Sequence, residues 1–203
     1  MTLALIDYGA GNLHSVHNAL KAAGGDATIT ADADLVARAD RIVLPGVGAF
    51  AACMAGLSAI PGMVEALRAR VLADGVPFLG VCVGMQLLAD EGHEHGVTPG
   101  LGWIPGKVVA LTPADPTARV PHMGWNDVVP TAPHAQVEPG EAYFLHSYHF
   151  DAADPAQVIA TTDHGGPVVA AVGRDNILGV QFHPEKSQRY GIALLERFLA
   201  WRR

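Results

Sequence analysis

The stretch Pro77-Phe-Leu-Gly-Val-Cys82-Val-Gly-Met-Gln86 places a cysteine between two glycines where a buried strand is expected to turn into a helix. Residues 77–81 form a short apolar run typical of a buried strand, and residues 83–89 an apolar stretch that predicts a helix. A residue at such a junction takes a strained backbone conformation, which small neighbours allow because strand and helix can then approach closely. The pattern therefore predicts that Cys82 stands above the end of a sheet as a nucleophile.

The predicted surroundings of Cys82 favour its reactive form. The first N–H groups of the helix point back at the sulfur, and the positive end of the helix dipole stabilises a thiolate. The same amides are suited to stabilise a tetrahedral oxyanion. The alternative is a structural cysteine in a Gly-rich strand end, and this pattern alone does not decide between the two.

A base for this nucleophile is found near the far end of the chain. Residues 176–182 predict a strand that runs into His183-Pro184-Glu185. His183 is thus expected at the carboxyl end of a strand, where open α/β sheets place their sites. Glu185 has the reach to hold the imidazole in one tautomer. A His-Pro turn with a solvated glutamate is the alternative, and the joint pattern with Cys82 favours a triad.

These segments resemble a known family. Gly80-Val-Cys82-Val-Gly84-Met-Gln86 and Gln181-Phe-His183-Pro-Glu185-Lys-Ser187 are similar to the signatures of the class I (triad) glutamine amidotransferases. Four more segments resemble the glutaminase subunits of imidazole glycerol phosphate synthases. They are Asp7-Tyr-Gly-Ala-Gly-Asn-Leu13, Leu44-Pro-Gly-Val-Gly-Ala-Phe50, Pro121-His-Met-Gly-Trp-Asn126 and Phe144-Leu-His-Ser-Tyr148. The matches extend from residue 3 to residue 198, so the resemblance covers nearly the whole chain.

The resemblance implies a fold and a reaction. The expected fold is a flavodoxin-like α/β domain over residues 1–203, with a mostly parallel sheet, flanking helices and a small antiparallel patch. The expected reaction is hydrolysis of glutamine to glutamate and ammonia by Cys82, His183 and Glu185. No metal or other cofactor is expected.

The resemblance also implies roles for the loop after the third strand. The N–H groups of Val47 and Val83 are the expected oxyanion donors, and Gly46 and Gly48 give the loop its freedom. We hypothesise that the Val47 amide is turned away from the site when partner and substrate are absent. The alternative is an ordinary Pro-Gly turn.

Substrate and partner contacts follow from the same resemblance. Three residues are expected to bind glutamine: Gln86, His146 and Ser147. Four are expected to face a partner near an ammonia channel: Lys186, Trp125, Met123 and Asn12. The implied partner is the cyclase subunit, a (β/α)₈ barrel that uses the ammonia to form imidazole glycerol phosphate and AICAR, and the expected assembly is a heterodimer. The alternative for Lys186 is a solvated lysine, and Trp125 could equally belong to the core.

Three positions depart from the pattern of the family. Val83 stands where leucine is commoner in the family. His149 stands where an arginine often follows His-Ser-Tyr, and His164 stands where tyrosine is usual. None of them removes a catalytic group, so we expect effects only on details of substrate and partner contacts.

Composition agrees with a single enzymatic domain. Of 203 residues, 50% are hydrophobic and 16% charged, which is enough for a full core. The formal charge of −7 argues against nucleic acid as a ligand. Two cysteines give no disulfide framework and suit a reducing compartment, and no apolar run approaches 18 residues. We therefore expect a cytoplasmic protein without a membrane segment.

The order of predicted elements indicates an α/β sheet. Strands are predicted at 3–6, 27–30 and 41–44, and helices at 13–23, 62–73 and 192–201. Residues 92–175 carry Pro-Gly turns between short runs, such as 107–111 and 168–172, and predict the antiparallel patch.

Three other motifs are assigned ordinary roles. Gly9 and Gly11 imitate a dinucleotide-binding turn, but His14 stands where a third small residue is needed. The cluster Gly92-His-Glu-His-Gly96 is not followed by a third metal ligand at a recognised spacing. Cys53 lies in an apolar helix and is predicted to be core.

The sequence leaves three alternatives to the implied function. One is a glutaminase serving another synthase, such as a pyridoxal phosphate or anthranilate system. Another is a non-catalytic regulatory subunit of the same fold. A cysteine peptidase is disfavoured, because its histidine is not expected in a His-Pro-Glu strand end.

Overall fold

In the computed structural model, which describes residues 2–202, a nine-stranded mixed sheet runs through the protein and a four-stranded sheet accompanies it. The strands are β1 (Leu3–Ile6), β2 (Ala27–Thr30), β3 (Arg41–Gly46), β4 (Phe78–Cys82), β5 (Glu91–Gly92), β6 (Thr98–Pro99), β7 (Gly106–Ala110), β8 (His122–Pro130), β9 (Gly140–His146), β10 (Tyr148–Ala152), β11 (Val158–Asp163), β12 (Pro167–Arg174) and β13 (Ile177–Val180). The helices are α1 (Leu13–Ala22), α2 (Ala33–Val36), α3 (Phe50–Ala59), α4 (Met63–Arg68), α5 (Val83–Gln86) and α6 (Gln188–Ala200).

One half of the large sheet is parallel. Its strands follow the order β2-β1-β3-β4-β13, and every residue of β1, β3, β4 and β13 is buried. Continuous burial is typical of parallel strands that are covered on both faces. The predicted α/β class is confirmed.

The antiparallel part is larger than the small patch that the sequence predicts. Strands β12, β11, β8 and β9 continue the large sheet beyond β13 in antiparallel pairing. Strands β10, β7, β5 and β6 form the second sheet. The pairing of β10 with β7 joins residues that lie far apart in the sequence, such as Tyr148 and Ala110, so local patterns do not reveal it.

Several element boundaries differ from the prediction. Helix α5 ends at Gln86 rather than Ala89, because the N–H groups of Leu101 and Trp103 donate to the carbonyls of Leu87 and Leu88. The predicted helix 62–73 is α4 followed by a π-helical stretch, Ala69–Ala73. The last helix begins four residues earlier than predicted.

The sheet order sets the place of the site. Strand β4 pairs with β3 on one side and β13 on the other, so the carboxyl ends of these three parallel strands lie together. Gly46 pairs with Cys82 there, and His183 follows shortly after β13. These are the ends at which open α/β sheets bind ligands.

Within residues 2–202 no single helix is both long and apolar enough to cross a bilayer, and α3 with Met63–Ala73 would be so only as a pair of helices bent by 97°.

Candidate active site

Cys82 lies at a strained turn between β4 and α5. Its φ is 54° and its ψ −113°, which is unfavourable for a residue with a side chain. The glycines around it are needed for close packing: a Cβ on Gly84 would overlap the carbonyl oxygen of Leu44, and one on Gly80 would lie 2.5 Å from the Gly84 carbonyl oxygen. Helix α5 begins at Val83, so its first N–H groups adjoin the sulfur.

His183 and Glu185 form a buried pair beyond β13. Nδ1 of His183 lies 2.8 Å from Oε1 of Glu185, and the side chains are 4% and 2% exposed. The backbone of this loop is held by two neighbours. The His183 N–H donates to the Tyr143 carbonyl at 2.9 Å, and the Ser187 hydroxyl donates to the His183 carbonyl at 2.6 Å. The imidazole therefore has little freedom to move.

The charge state of His183 is set by its neighbours. Burial alone lowers its pKa, but hydrogen bonds and charge interactions with Cys82 and Glu185 outweigh burial and raise the pKa to about 10. Because Nδ1 faces Glu185, Nε2 is the ring nitrogen left for Cys82. The arrangement is suited to a thiolate–imidazolium pair, the reactive state of cysteine nucleophiles.

A cavity of about 380 Å³ opens over these groups. Cys82 and His183 line it, together with eight other residues that were predicted as site residues from the sequence: Val47, Gly48, Val83, Gln86, His146, Ser147, Lys186 and Asn12. Gly46 lies beneath, where a Cβ would come within 2.6 Å of the Gly84 nitrogen. Met123 and Trp125 lie instead on β8 and are 60% and 47% exposed.

Two side chains hold the loop that contains Val47. The Tyr8 hydroxyl donates to the Pro45 carbonyl at 2.6 Å, and the Cys53 thiol donates to the Val47 carbonyl at 3.4 Å. Burial raises the pKa of Tyr8 and of Cys53, so both keep the proton that they donate. Cys53 is fully buried, as predicted, and in addition fixes one carbonyl of this loop.

Gln86 is fixed by two hydrogen bonds of its amide nitrogen. Nε2 donates to the Tyr148 carbonyl and to Oε1 of Gln181, both at 3.0 Å. Oε1 of Gln86 therefore remains as an acceptor for N–H groups of a ligand.

His146 takes part in a chain of neutral histidines. Its Nδ1 bonds to the Tyr148 carbonyl at 2.9 Å and its Nε2 to Nδ1 of His122 at 3.0 Å, while Nε2 of His122 meets the Asn126 amide at 3.1 Å. Burial lowers the pKa of His122 to about 4 and that of His146 to about 3. Since a carbonyl only accepts, His146 carries its proton on Nδ1. Both of its ring nitrogens are therefore used within the protein.

The histidine cluster around residue 94 does not form a metal site in the described residues. Within residues 2–202 no group of three or more His, Cys, Asp and Glu side chains could hold a metal ion. Glu94 from this segment lines the cavity instead, and its Oε2 accepts from the Phe50 N–H at 2.8 Å. Glu94 was not predicted as a lining residue, because its position along the chain relative to Cys82 gives no signal.

Gln181 was missed as well. It is fully buried, and its Nε2 lies 3.7 Å from the Cys82 sulfur. Its position two residues before His183 was a usable signal, because side chains two residues apart on an extended strand share a face.

Comparisons with known proteins find matches over nearly the whole length of the chain. A family model described as glutamine amidotransferase class-I matches residues 4–201. The chain is 63% identical to the imidazole glycerol phosphate synthase subunit HisH of Zymomonas mobilis, over 98% of this chain and 96% of that protein. It is 54% identical to the protein of the same name from Rhodospirillum rubrum, over 99% of each.

Solved structures show the same fold. A crystal structure of a glutamine amidotransferase superposes with a TM-score of 0.77 at 19% identity, covering 98% of both chains. A chain of PurLQS from Thermotoga maritima superposes with a TM-score of 0.72 at 17% identity, covering 98% of this chain and 97% of that one.

Proposed function

Since the chain belongs to the class I glutamine amidotransferase family, we propose that it is the glutaminase subunit of an imidazole glycerol phosphate synthase. The family makes it a glutamine-hydrolysing enzyme, and full-length relatives that carry the synthase name support the pathway. The observation that carries the proposal is the buried contact of His183 with Glu185, with His183 and Cys82 lining one cavity.

The proposed reaction proceeds through a thioester. The Cys82 thiolate attacks the side-chain carbonyl carbon of glutamine, and the imidazolium of His183 protonates the nitrogen as ammonia leaves. His183 then removes a proton from water, which attacks the thioester to give glutamate and the thiolate. Glu185 holds the imidazole and balances its positive charge.

The oxyanion of each tetrahedral intermediate needs donors. The Val83 N–H is suited to this role, because the first N–H groups of a helix have no partner within it. The Val47 N–H is the second proposed donor, on a loop that lines the cavity. Removing one such donor typically lowers the rate ~10²–10³-fold.

The cavity offers groups that match a free amino acid. Glu94 supplies a carboxylate for the α-ammonium group, and Oε1 of Gln86 accepts from N–H groups of the substrate. Ser147, also in the lining, adds polar contacts. Because both ring nitrogens of His146 are bonded, His146 would contact glutamine through other atoms.

The proposed partner is the cyclase subunit, a (β/α)₈ barrel, in a heterodimer in the cytoplasm. Four apolar side chains that are 42–60% exposed support a docking face: Val47, Val120, Met123 and Trp125. Trp125 meets the ring of Tyr143 edge-on at 6.1 Å, and Nζ of Lys186 lies 5.8 Å from the same ring. These contacts support a position for Lys186, which also lines the cavity, near the proposed exit of ammonia toward the docking face.

Glutamate release tests the proposal. The chain is assayed alone and with the cyclase subunit plus its nucleotide substrate, with Cys82→Ala as the control. We expect a large rise in glutamate release that requires the partner and is absent in Cys82→Ala. Activity that needs Cys82 but ignores this partner would remove the pathway assignment, and inactivity in every condition would favour a regulatory subunit.

A further inference from the structure

We propose that Gln181 is the hydrogen-bond donor that holds the sulfur of Cys82 in its attacking position and stabilises the thiolate. The inference deepens the proposed function, because it concerns the same nucleophile. Gln181 follows β13, is fully buried, and places Nε2 3.7 Å from the Cys82 sulfur. A thiolate accepts such a hydrogen bond, and bonds to charged groups are about twice as strong as neutral ones.

The direction of the Gln181 amide follows from its neighbours. Nε2 of Gln86 donates to the Tyr148 carbonyl at 3.0 Å, and that carbonyl cannot act as a donor. The Gln86 amide is thereby oriented, and the same nitrogen donates to Oε1 of Gln181 at 3.0 Å. Turning Gln181 around would bring two NH₂ groups together. Its own NH₂ must therefore face Cys82.

His183 and Gln181 approach the sulfur from the same strand end. They are two residues apart, so their side chains emerge on one face. The two donors differ in what they do next. His183 gives its proton to the leaving ammonia, whereas the Gln181 amide keeps its protons throughout. It is thus available when Cys82 attacks and again when the thiolate leaves the thioester.

The test combines alkylation of Cys82 with steady-state kinetics. Iodoacetamide reacts with the thiolate, and mass mapping of the Cys82 peptide reads it separately from Cys53. Gln181→Met keeps the size but removes the donor. Gln181→Glu keeps an acceptor for Gln86 and replaces the donor by a second acceptor. Gln136→Met is the matched control, because Gln136 is also buried and makes its hydrogen bonds to His134 and Arg197 through its own backbone N–H and carbonyl groups, which the substitution keeps.

We expect Gln181→Met to slow alkylation near pH 7 by about 10- to 100-fold and to lower kcat by a similar factor, with KM for glutamine changed less than about threefold. We expect Gln181→Glu to lower the alkylation rate and kcat at least as much. We expect Gln136→Met to have the alkylation rate and kcat of the parent. Should Gln181→Met fail to fold, the isosteric Gln181→Glu decides by the same measurements.

Parent-like alkylation in the folded Gln181 variants would overturn the proposal, as would an equal loss in Gln136→Met. The alkylation step needs no glutamine turnover. If no protein released glutamate but alkylation still depended on Gln181, the proposed function would fail and this inference would stand.

Discussion

Nδ1 of His183 lies 2.8 Å from Oε1 of Glu185, and both side chains are almost completely buried. Burial without pairing would favour the neutral imidazole, yet the pKa of His183 is raised to about 10, because its bonds to Cys82 and Glu185 outweigh burial. We therefore expect the contact with Glu185 to matter for both the proposed chemistry and the stability of the site.

Glu185→Gln removes the charge but keeps the size of the side chain. We expect kcat for glutamine to fall by ~10²–10⁴, because the imidazolium loses its counter-charge and its fixed tautomer. Steady-state kinetics with the proposed cyclase partner measure the change. Glu196→Gln, at an exposed position on α6, is the control and should be neutral. A loss below threefold in Glu185→Gln would contradict this role.

His183 should contribute to stability in a pH-dependent way. Its folded pKa of about 10 lies above the ordinary 6.5, so its contribution is full below pH 6.5 and disappears as the pH rises to about 10. Urea unfolding of the parent and His183→Gln at pH 6, 8 and 10 tests this. We expect the difference in unfolding free energy to shrink as the pH rises. A constant difference would show that the charge of His183 adds nothing.

The neutral histidine chain should make the protein sensitive to acid. The folded pKa values of His122 and His146 lie near 4 and 3, below the ordinary 6.5, so their contribution is present above pH 6.5 and is lost as the pH falls through about 4 for His122 and about 3 for His146. His146 and the stacked ring of His164 face His122, and protonation would place charges side by side.

His122→Gln should therefore reduce the fall of the unfolding free energy at acid pH. We expect the slope of unfolding free energy against pH between 4.5 and 6 to drop by up to about 1.4 kcal/mol per pH unit, the value for one proton. Urea titrations at several pH values measure it. The exposed His14→Gln on α1 should leave the slope unchanged, and an unchanged slope in His122→Gln would refute the prediction.

Gly84→Ala should disturb the nucleophile turn. The new Cβ would overlap the Leu44 carbonyl oxygen, so β3 and α5 would have to separate. We expect a loss of ~1–3 kcal/mol in unfolding free energy and a lower kcat. Gly96→Ala is the control: its Cβ meets nothing within 4 Å, and only its φ of 137° is unfavourable. Equal kcat values in the two variants would speak against a role for this contact.

Trp125→Ala should weaken the proposed complex. Trp125 is 47% exposed on β8, and aromatic side chains often dominate interfaces. We expect a loss of about 2 kcal/mol in binding, roughly a 30-fold higher Kd for the cyclase subunit by calorimetry. Leu72→Ala is a suitable control, since Leu72 is 41% exposed but precedes β4, away from the carboxyl ends of the strands. Equal affinities of the two variants would place the interface elsewhere.

Local patterns in the sequence were sufficient for the parallel half of the sheet. The buried strands are short apolar runs, and the Gly-x-Cys-x-Gly pattern predicts a strained, tightly packed turn. In the structure Cys82 has a positive φ, and Gly84 has no room for a Cβ. The same residues carried the family resemblance. The α/β class and the glutaminase assignment therefore followed from residues that act through their nearest neighbours in the chain.

Contacts between distant segments were decided by the tertiary structure. Gln86 and Gln181 are 95 residues apart, and Gln181 and Cys82 are 99 apart, so no periodicity links them. For the same reason, Glu94 was not predicted in the cavity, and the antiparallel part of the sheet was predicted only as a small patch. Sequence alone determined which residues could do chemistry. Which side chains surround the sulfur, and in which direction each amide points, depended on how strands β4 and β13 and the Tyr148 carbonyl pack together.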